Sequence, residues 1–171
     1  MKKTISVLVE NHPGVLARIS GLFSARGFNI DSLAVGETQD PSVSRMTIVV
    51  EGDERTLEQV KKQLNKLIDV ITVTDLTEKK FIDRELILIK VGVRTSDDRA
   101  KIIEIAETMR AGVADLGLHT IIVEAVGETS HIDNLIELLR QFGIKEIVRT
   151  GKIAMEKESN EEQKTAKEEE E

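Results

Sequence analysis

The sequence predicts an α+β fold: two ferredoxin-like βαββαβ units in tandem. Three observations predict it. Segments of alternating apolar residues and segments with apolar residues every three or four positions follow one another in the order strand, helix, strand, strand, helix, strand. That order recurs after roughly 80 residues, as a repeat of architecture and not of sequence. A chain of 171 residues with 40% hydrophobic content suffices for two small cores. Aromatics are only 2%, four Phe with no Trp or Tyr, so those cores must be Ile, Leu and Val.

In the first unit, assigned to residues 1–77, residues 4–9 are β-rich. Ile5, Val7 and Val9 share a face because side chains alternate along a strand. Asn11-His12-Pro13-Gly14 follows as a turn. Val15, Leu16, Ile19, Leu22 and Phe23 then form one helical stripe. Gly27 stands where a helix end calls for a left-handed residue. Residues 29–35 read as the second strand, Gln39-Asp40-Pro41-Ser42 as turn chemistry, and residues 45–50 as the third strand, with Met46, Ile48 and Val50 inward. Asp53 is placed to N-cap a helix carrying Leu57, Val60, Leu64 and Leu67, and residues 70–76 close the unit. Two helices cover only one face of such a sheet, which leaves the other face to water or a partner.

Residues 78–84 read as a linker. The second unit, 85–155, repeats the pattern: a strand over 85–93, a helix over 97–111, strands over 113–118 and 120–126, a helix over 132–142 and a strand over 144–148. Ser130 and Asp133 have the spacing of a capping box for its second helix. Residues 156–171 hold eight Glu and three Lys and are expected to be an acidic disordered tail.

Of the net charge of −7, the tail carries −5, leaving −2 for residues 1–155. A near-neutral body with an acidic tail argues against nucleic acid as the partner. The RNA-recognition motif shares this element order but stacks bases on aromatics, and the third strand, SRMTIVVEG, has none. With no Cys there is no disulfide framework and no Cys metal site. His12, His119 and His131 lack His or Cys partners at metal-ligand spacing, so no metal is expected. No run approaches ~18 apolar residues, and MKKTISVLVENHPG has no long apolar region or cleavage site. A cytoplasmic protein, with no membrane role, is expected. Nucleophile-elbow and glycine-rich phosphate motifs are absent, so no catalytic residues are assigned.

The turn Asn11-His12-Pro13-Gly14 has two readings. It can be a plain strand-to-helix connection, with Asn11 satisfying the first helical amides. It can also bind a small carboxylate. Free N–H groups at a helix start carry roughly half a positive charge, and Gly14 has no Cβ to keep a ligand from the backbone. Asn11 both donates and accepts, which suits a zwitterion, while Val15 and Leu16 offer an apolar wall. Asn29 reads either as a turn residue or as part of the same site. The first two strands run parallel, so Asn11 and Asn29 lie at opposite ends of one sheet, and a site using both must draw on two protomers.

The segment ISVLVENHPGVLARISGLFSARGFNIDSLAVGETQDPSVSRMTIVVEGD resembles the ACT domain of the small regulatory subunits of acetolactate synthase (acetohydroxyacid synthase). ENHPGVLARI, RGFNIDSL and SRMTIVV are similar to that family's hallmark segments. KKQLNKLIDVITVTDLT and DRELILIKV resemble its continuation, so the likeness covers about residues 1–150. The resemblance implies a non-catalytic regulatory subunit in branched-chain amino-acid biosynthesis. It implies a separate large catalytic subunit that holds thiamine diphosphate, Mg²⁺ and FAD, with no cofactor on this chain. It also implies activation of that subunit and feedback inhibition by a branched-chain amino acid, typically valine. By position the effector site would comprise Asn11, His12, Pro13, Gly14, Val15 and Leu16 of one chain and Asn29 and Ile30 of a homodimer partner. The competing readings are a stand-alone ACT regulator acting on another partner and a small enzyme in its own right.

Overall fold

The computed structural model describes residues 1–158. The described residues divide into two compact units, 1–82 together with 152–158, and Asp83–Gly151.

The first unit contains β1 (Lys2–Glu10), α1 (Val15–Ala25), β2 (Ile30–Glu37), β3 (Val43–Glu51), α2 (Glu54–Leu64) and β4 (Val70–Asp75). Its sheet has the order β2-β3-β1-β4. β1 and β2 each run antiparallel to β3, and so parallel to one another. Ile5, Val7 and Val9 of β1 and Met46, Ile48 and Val50 of β3 face the helices and are at most 2% exposed. Ile19 and Phe23 of α1 and Leu57, Val60 and Leu64 of α2 complete this core. Local sequence explains both helices. Asp53 accepts from the Thr56 amide at 2.8 Å and caps α2. At the other end of α1, Gly27 adopts φ +68°. The N–H groups of Gly27 and Phe28 donate to the carbonyls of Ser24 and Phe23, a Schellman closure. Phe28 then sets its ring edge-on to Phe23, centroids 6.4 Å apart, which adds an apolar clasp to the hydrogen bonds.

The second unit contains β5 (Phe81–Gly92, starting at the boundary), α3 (Ser96–Thr108), β6 (Gly112–Leu116), β7 (Thr120–Gly127), α4 (Thr129–Leu139), a 3₁₀ turn at Arg140–Phe142 and β8 (Ile144–Arg149). Its sheet order, β6-β7-β5-β8, repeats that of the first unit. Ile87, Ile89, Val91, Ile121 and Val123 pack against Ile102, Ile132, Leu135 and Leu139. The predicted α+β class and the doubled βαββαβ order are both observed.

Four sequence expectations need correction. Most of the proposed linker, 78–84, belongs to β5, which starts at Phe81. The helix expected to reach residue 111 ends at Thr108, because Arg110 turns left-handed at φ +53° and Ala111 closes back on the Ala106 carbonyl. The Ser130/Asp133 capping box does not form. α4 opens two residues earlier, at Thr129 behind Glu128 as N-cap, and no side chain caps it. Asp133 pairs instead with Arg149 at 3.3 Å. The capping box of this unit is Thr95 with Asp98, at the start of α3.

The fourth correction concerns the C-terminal segment. Residues 152–158 belong to the first unit and not to the second, which was drawn through residue 155. The face of the first sheet turned away from its helices carries Thr4, Ser6 and Thr47, all buried. Across it runs β9 (Ile153–Glu156). The Lys152 N–H donates to Ser32 Oγ at 2.8 Å and the Ala154 N–H to Thr47 Oγ1 at 3.3 Å. The Lys157 N–H reaches the Lys80 carbonyl, and Glu156 pairs with Lys79 at 2.8 Å. The chain itself therefore occupies part of the face expected to meet water or a partner. Of the acidic tail expected to be disordered, 156–171, Glu156 instead ends β9 and Lys157 is hydrogen-bonded, and residues 159–171 lie outside the described residues.

Candidate functional site

The turn between β1 and α1 is built by backbone first. β1 ends at Glu10, and the Asn11 N–H donates to the Ser42 carbonyl at 2.7 Å. Gly14 is the N-cap of α1 and sits at φ +91°, a conformation that excludes an L side chain without strain. It provides no side-chain cap. Val15 closes a loose turn to the His12 carbonyl at 3.5 Å, and Arg18 N–H donates to the Gly14 carbonyl. Among the described residues, nothing accepts from the N–H groups of Leu16 and Ala17. The helix start is therefore open, and it carries the positive end of the α1 dipole.

Asn11 does not cap the helix, contrary to the plain-connection reading. Its Nδ2 donates to Glu37 Oε1 at 3.1 Å and to the Pro41 carbonyl at 2.9 Å, which leaves Oδ1 as a free acceptor at the corner. Leu16 is 47% exposed and can meet a ligand, whereas Val15 is 4% exposed and faces the core. Any apolar wall therefore rests on Leu16. His12, Pro13 and Gly14 are exposed.

Asn29 and Ile30 are not brought together with this corner. Ile30 aligns with Val50, which pairs with Lys3 at the start of β1, whereas Glu37 aligns with Ser44, beside Val9 at its end. The eight residues of β2 place the two corners about 25 Å apart at ~3.3 Å per residue. Asn29 Nδ2 donates to Asp31 Oδ1 at 2.7 Å.

A cluster beside the turn was not anticipated from the sequence. Asp69, between α2 and β4, has a side chain only 6% exposed. Its Oδ2 accepts from Arg18 Nε at 2.6 Å, and its Oδ1 lies 2.9 Å from His12 Nε2. Its carbonyl accepts from the Glu10 N–H. The hydrogen bond from Arg18 holds the Asp69 carboxyl below the usual carboxylate range, against the opposing effect of burial. Glu10 Oε2 is 3.3 Å from His12 Nε2. Glu10, His12 and Asp69 thus bring three metal-ligand atoms within 4.8 Å of one another. The Arg18 guanidinium on Asp69 and the positive end of α1 both oppose a dication there. Arg18 and Asp69 are 51 positions apart. The one available hint was an Asp set between Ile68 and Val70 at the edge of a strand, where a buried carboxylate calls for a cation.

His119 lies exposed in the β6–β7 turn, and His131 Nε2 is 3.0 Å from the Met109 carbonyl, a structural contact. The second unit has a groove of about 400 Å³ lined by Lys101, Glu104, Ile105, Met109, Leu138 and Phe142 among others. No helix among the described residues is long and apolar enough to cross a membrane. The corner at α1 offers donors, an acceptor, positive potential and an exposed leucine, a set suited to holding a small zwitterion.

Comparison with known proteins agrees with the fold and the sequence resemblance. Residues 5–72 match the AHAS small subunit-like ACT domain, and residues 84–158 match the family described as small subunit of acetolactate synthase. The probable acetolactate synthase small subunit of Archaeoglobus fulgidus is 52% identical over 155 residues, covering 91% of this chain and 96% of that protein. The acetolactate synthase small subunit of Aquifex aeolicus is 48% identical over 157 residues, covering 92% and 82%. The crystal structure of the Thermotoga maritima acetolactate synthase small subunit superposes with a TM-score of 0.84 at 39% identity, covering 93% of this chain and 99% of that one. With an ACT domain in front and the matching C-terminal domain behind it, the chain belongs to the family of acetolactate synthase small subunits.

Proposed function

We propose that this chain is a regulatory subunit that binds a branched-chain amino acid, valine foremost, at the entrance of α1. Its partner is a large catalytic subunit that carries thiamine diphosphate, Mg²⁺ and FAD. The small subunit activates that partner and confers feedback inhibition on it, catalyses nothing itself, and works as a homodimer in the cytoplasm.

One observation carries the reading: a left-handed glycine N-cap in front of helical amides that no side chain of the protein occupies. The effector carboxylate takes those amides. Its ammonium takes Asn11 Oδ1, with Asn29 of the second protomer as a further acceptor. Its side chain rests on Leu16, beside Ile30 of the second protomer. Such a site binds without reacting. A coupling of ~1–3 kcal/mol between this corner and the catalytic subunit changes activity about 5- to 150-fold. The second unit, with its groove between α3 and α4, is assigned to subunit contact.

The test has two parts. Calorimetry of the full chain with valine, leucine and isoleucine should show saturable binding, abolished by Gly14→Asp, which sets a negative charge where the carboxylate lies. Acetolactate formation by the reconstituted large and small subunits should rise with the small subunit and fall on adding valine. Lack of binding, or unchanged binding in the variant, refutes the site. Recovery of a different partner from source lysate would favour a stand-alone ACT regulator.

A further inference from the structure

We propose that Arg18 is a second receptor for the effector carboxylate, and that Asp69 is the residue that positions it. This deepens the reading above and rests on it. Arg18 lies one turn into α1, and helix side chains lean toward the N-terminus, so it reaches back over the open helix start. Its Nη1 stands 3.2 Å from the point where a Cβ on Gly14 would lie. The guanidinium therefore roofs the one glycine that leaves the backbone bare.

The way Arg18 is held distinguishes it from an ordinary ion pair. A side-on pair would set two guanidinium nitrogens against both carboxylate oxygens. Here only Nε donates to Asp69 Oδ2, and Oδ1 lies 2.9 Å from His12 Nε2. The Nη1 and Nη2 groups have no partner among the described residues. A two-pronged donor is left facing the helix entrance, with the side chain 47% exposed and open to a ligand. Asp69 is itself fixed. It is nine-tenths buried, touches His12, and accepts from the Glu10 amide through its own carbonyl. The fork is thus oriented before a ligand arrives, which reduces the ordering cost of binding. Neighbouring amides and a guanidinium together select a free carboxylate over a neutral amide.

The experiment is calorimetry of the full chain with valine and with valinamide, whose carboxylate is replaced by a neutral amide. Wild type, Arg18→Gln and the double variant Arg18→Gln/Asp69→Asn are compared, the double variant avoiding an unpaired buried carboxylate. Wild type should prefer valine to valinamide by at least tenfold. Both variants should lose at least tenfold in valine affinity, with valinamide affinity unchanged. Valine binding within twofold of wild type in the double variant overturns the role of Arg18, and so does an equal loss for both ligands, which marks a structural effect. Absence of valine binding to wild type overturns the parent reading and this inference with it.

Discussion

Gly14 and Gly27 bracket α1, both at positive φ, and comparing their alanine variants separates strain from function. A residue with a Cβ in the left-handed region costs about 1–2 kcal/mol. Alanine also stiffens the unfolded chain, which returns about 0.4–1 kcal/mol. Gly27→Ala meets nothing within 4 Å, so its net cost is about 1 kcal/mol of strain alone. Gly27→Asn should cost less, because asparagine tolerates this conformation. Gly14→Ala carries the same strain, and its Cβ lands 3.2 Å from Arg18 Nη1, the movable end of a long side chain that need shift only slightly. The two alanine variants should therefore lose similar stability in urea, about 1 kcal/mol each, or roughly 4–8 °C in Tm for a domain of this size. Their valine affinities should diverge. Gly27→Ala should bind like wild type, whereas Gly14→Ala should bind at least tenfold more weakly, because its methyl group covers the amides. Equal valine affinity in the two variants would refute the reasoning, as would a Gly14→Ala protein no less stable than wild type.

Three further outcomes are expected. Arg149 holds the buried Glu85 through two bonds of 2.6 and 3.2 Å, so Arg149→Met should cost about 2–3 kcal/mol in urea denaturation. That is below the ~3–5 kcal/mol of a fully buried pair because Arg149 is a third exposed, and Arg149→Met/Glu85→Met should recover most of it. Phe23, 1% exposed, should cost about 3–5 kcal/mol on replacement by alanine, whereas Phe28→Leu, which loses mainly the ring-edge contact, should cost about 0.5–1.5 kcal/mol. Asp69 has its folded pKa depressed, chiefly by Arg18, so its contribution is present above the ordinary carboxylate value and disappears as pH falls through the lower folded value. The stability gap between wild type and Asp69→Asn should be widest near neutrality and close in acid, as followed by urea titrations at successive pH values.

The sequence was legible wherever one local rule decides the outcome. The alternating Ile5, Val7 and Val9, the left-handed Gly27 and the Asp53 cap stand as read, because each depends on residues within a few positions. The Ser130/Asp133 spacing was a genuine local signal that lost to a long-range one: Asp133 has a better partner in Arg149, from β8. The return of residues 152–158 to the first unit was illegible because four short strand residues beside a Glu-rich run carry too little periodicity. At the candidate site, the corner of Asn11, Gly14 and Leu16 was legible as a strand-to-helix turn because these residues lie within six consecutive positions. Arg18 and Asp69 were not, since only the register of β4 against β1 brings positions 51 apart together. Val15 was misread as wall because adjacent residues of a helix point in different directions, and the stripe that includes Ile19 claims it for the core.

The central claim, that the effector docks at the start of α1, is tested most directly by amide chemical shifts of the ¹⁵N-labelled full chain during a valine titration. The largest saturable shifts should fall on Gly14, Val15, Leu16 and Ala17, with the Arg18 side-chain resonances moving in step. Saturable shifts that leave these residues still and fall within Asp83–Gly151 instead would contradict it.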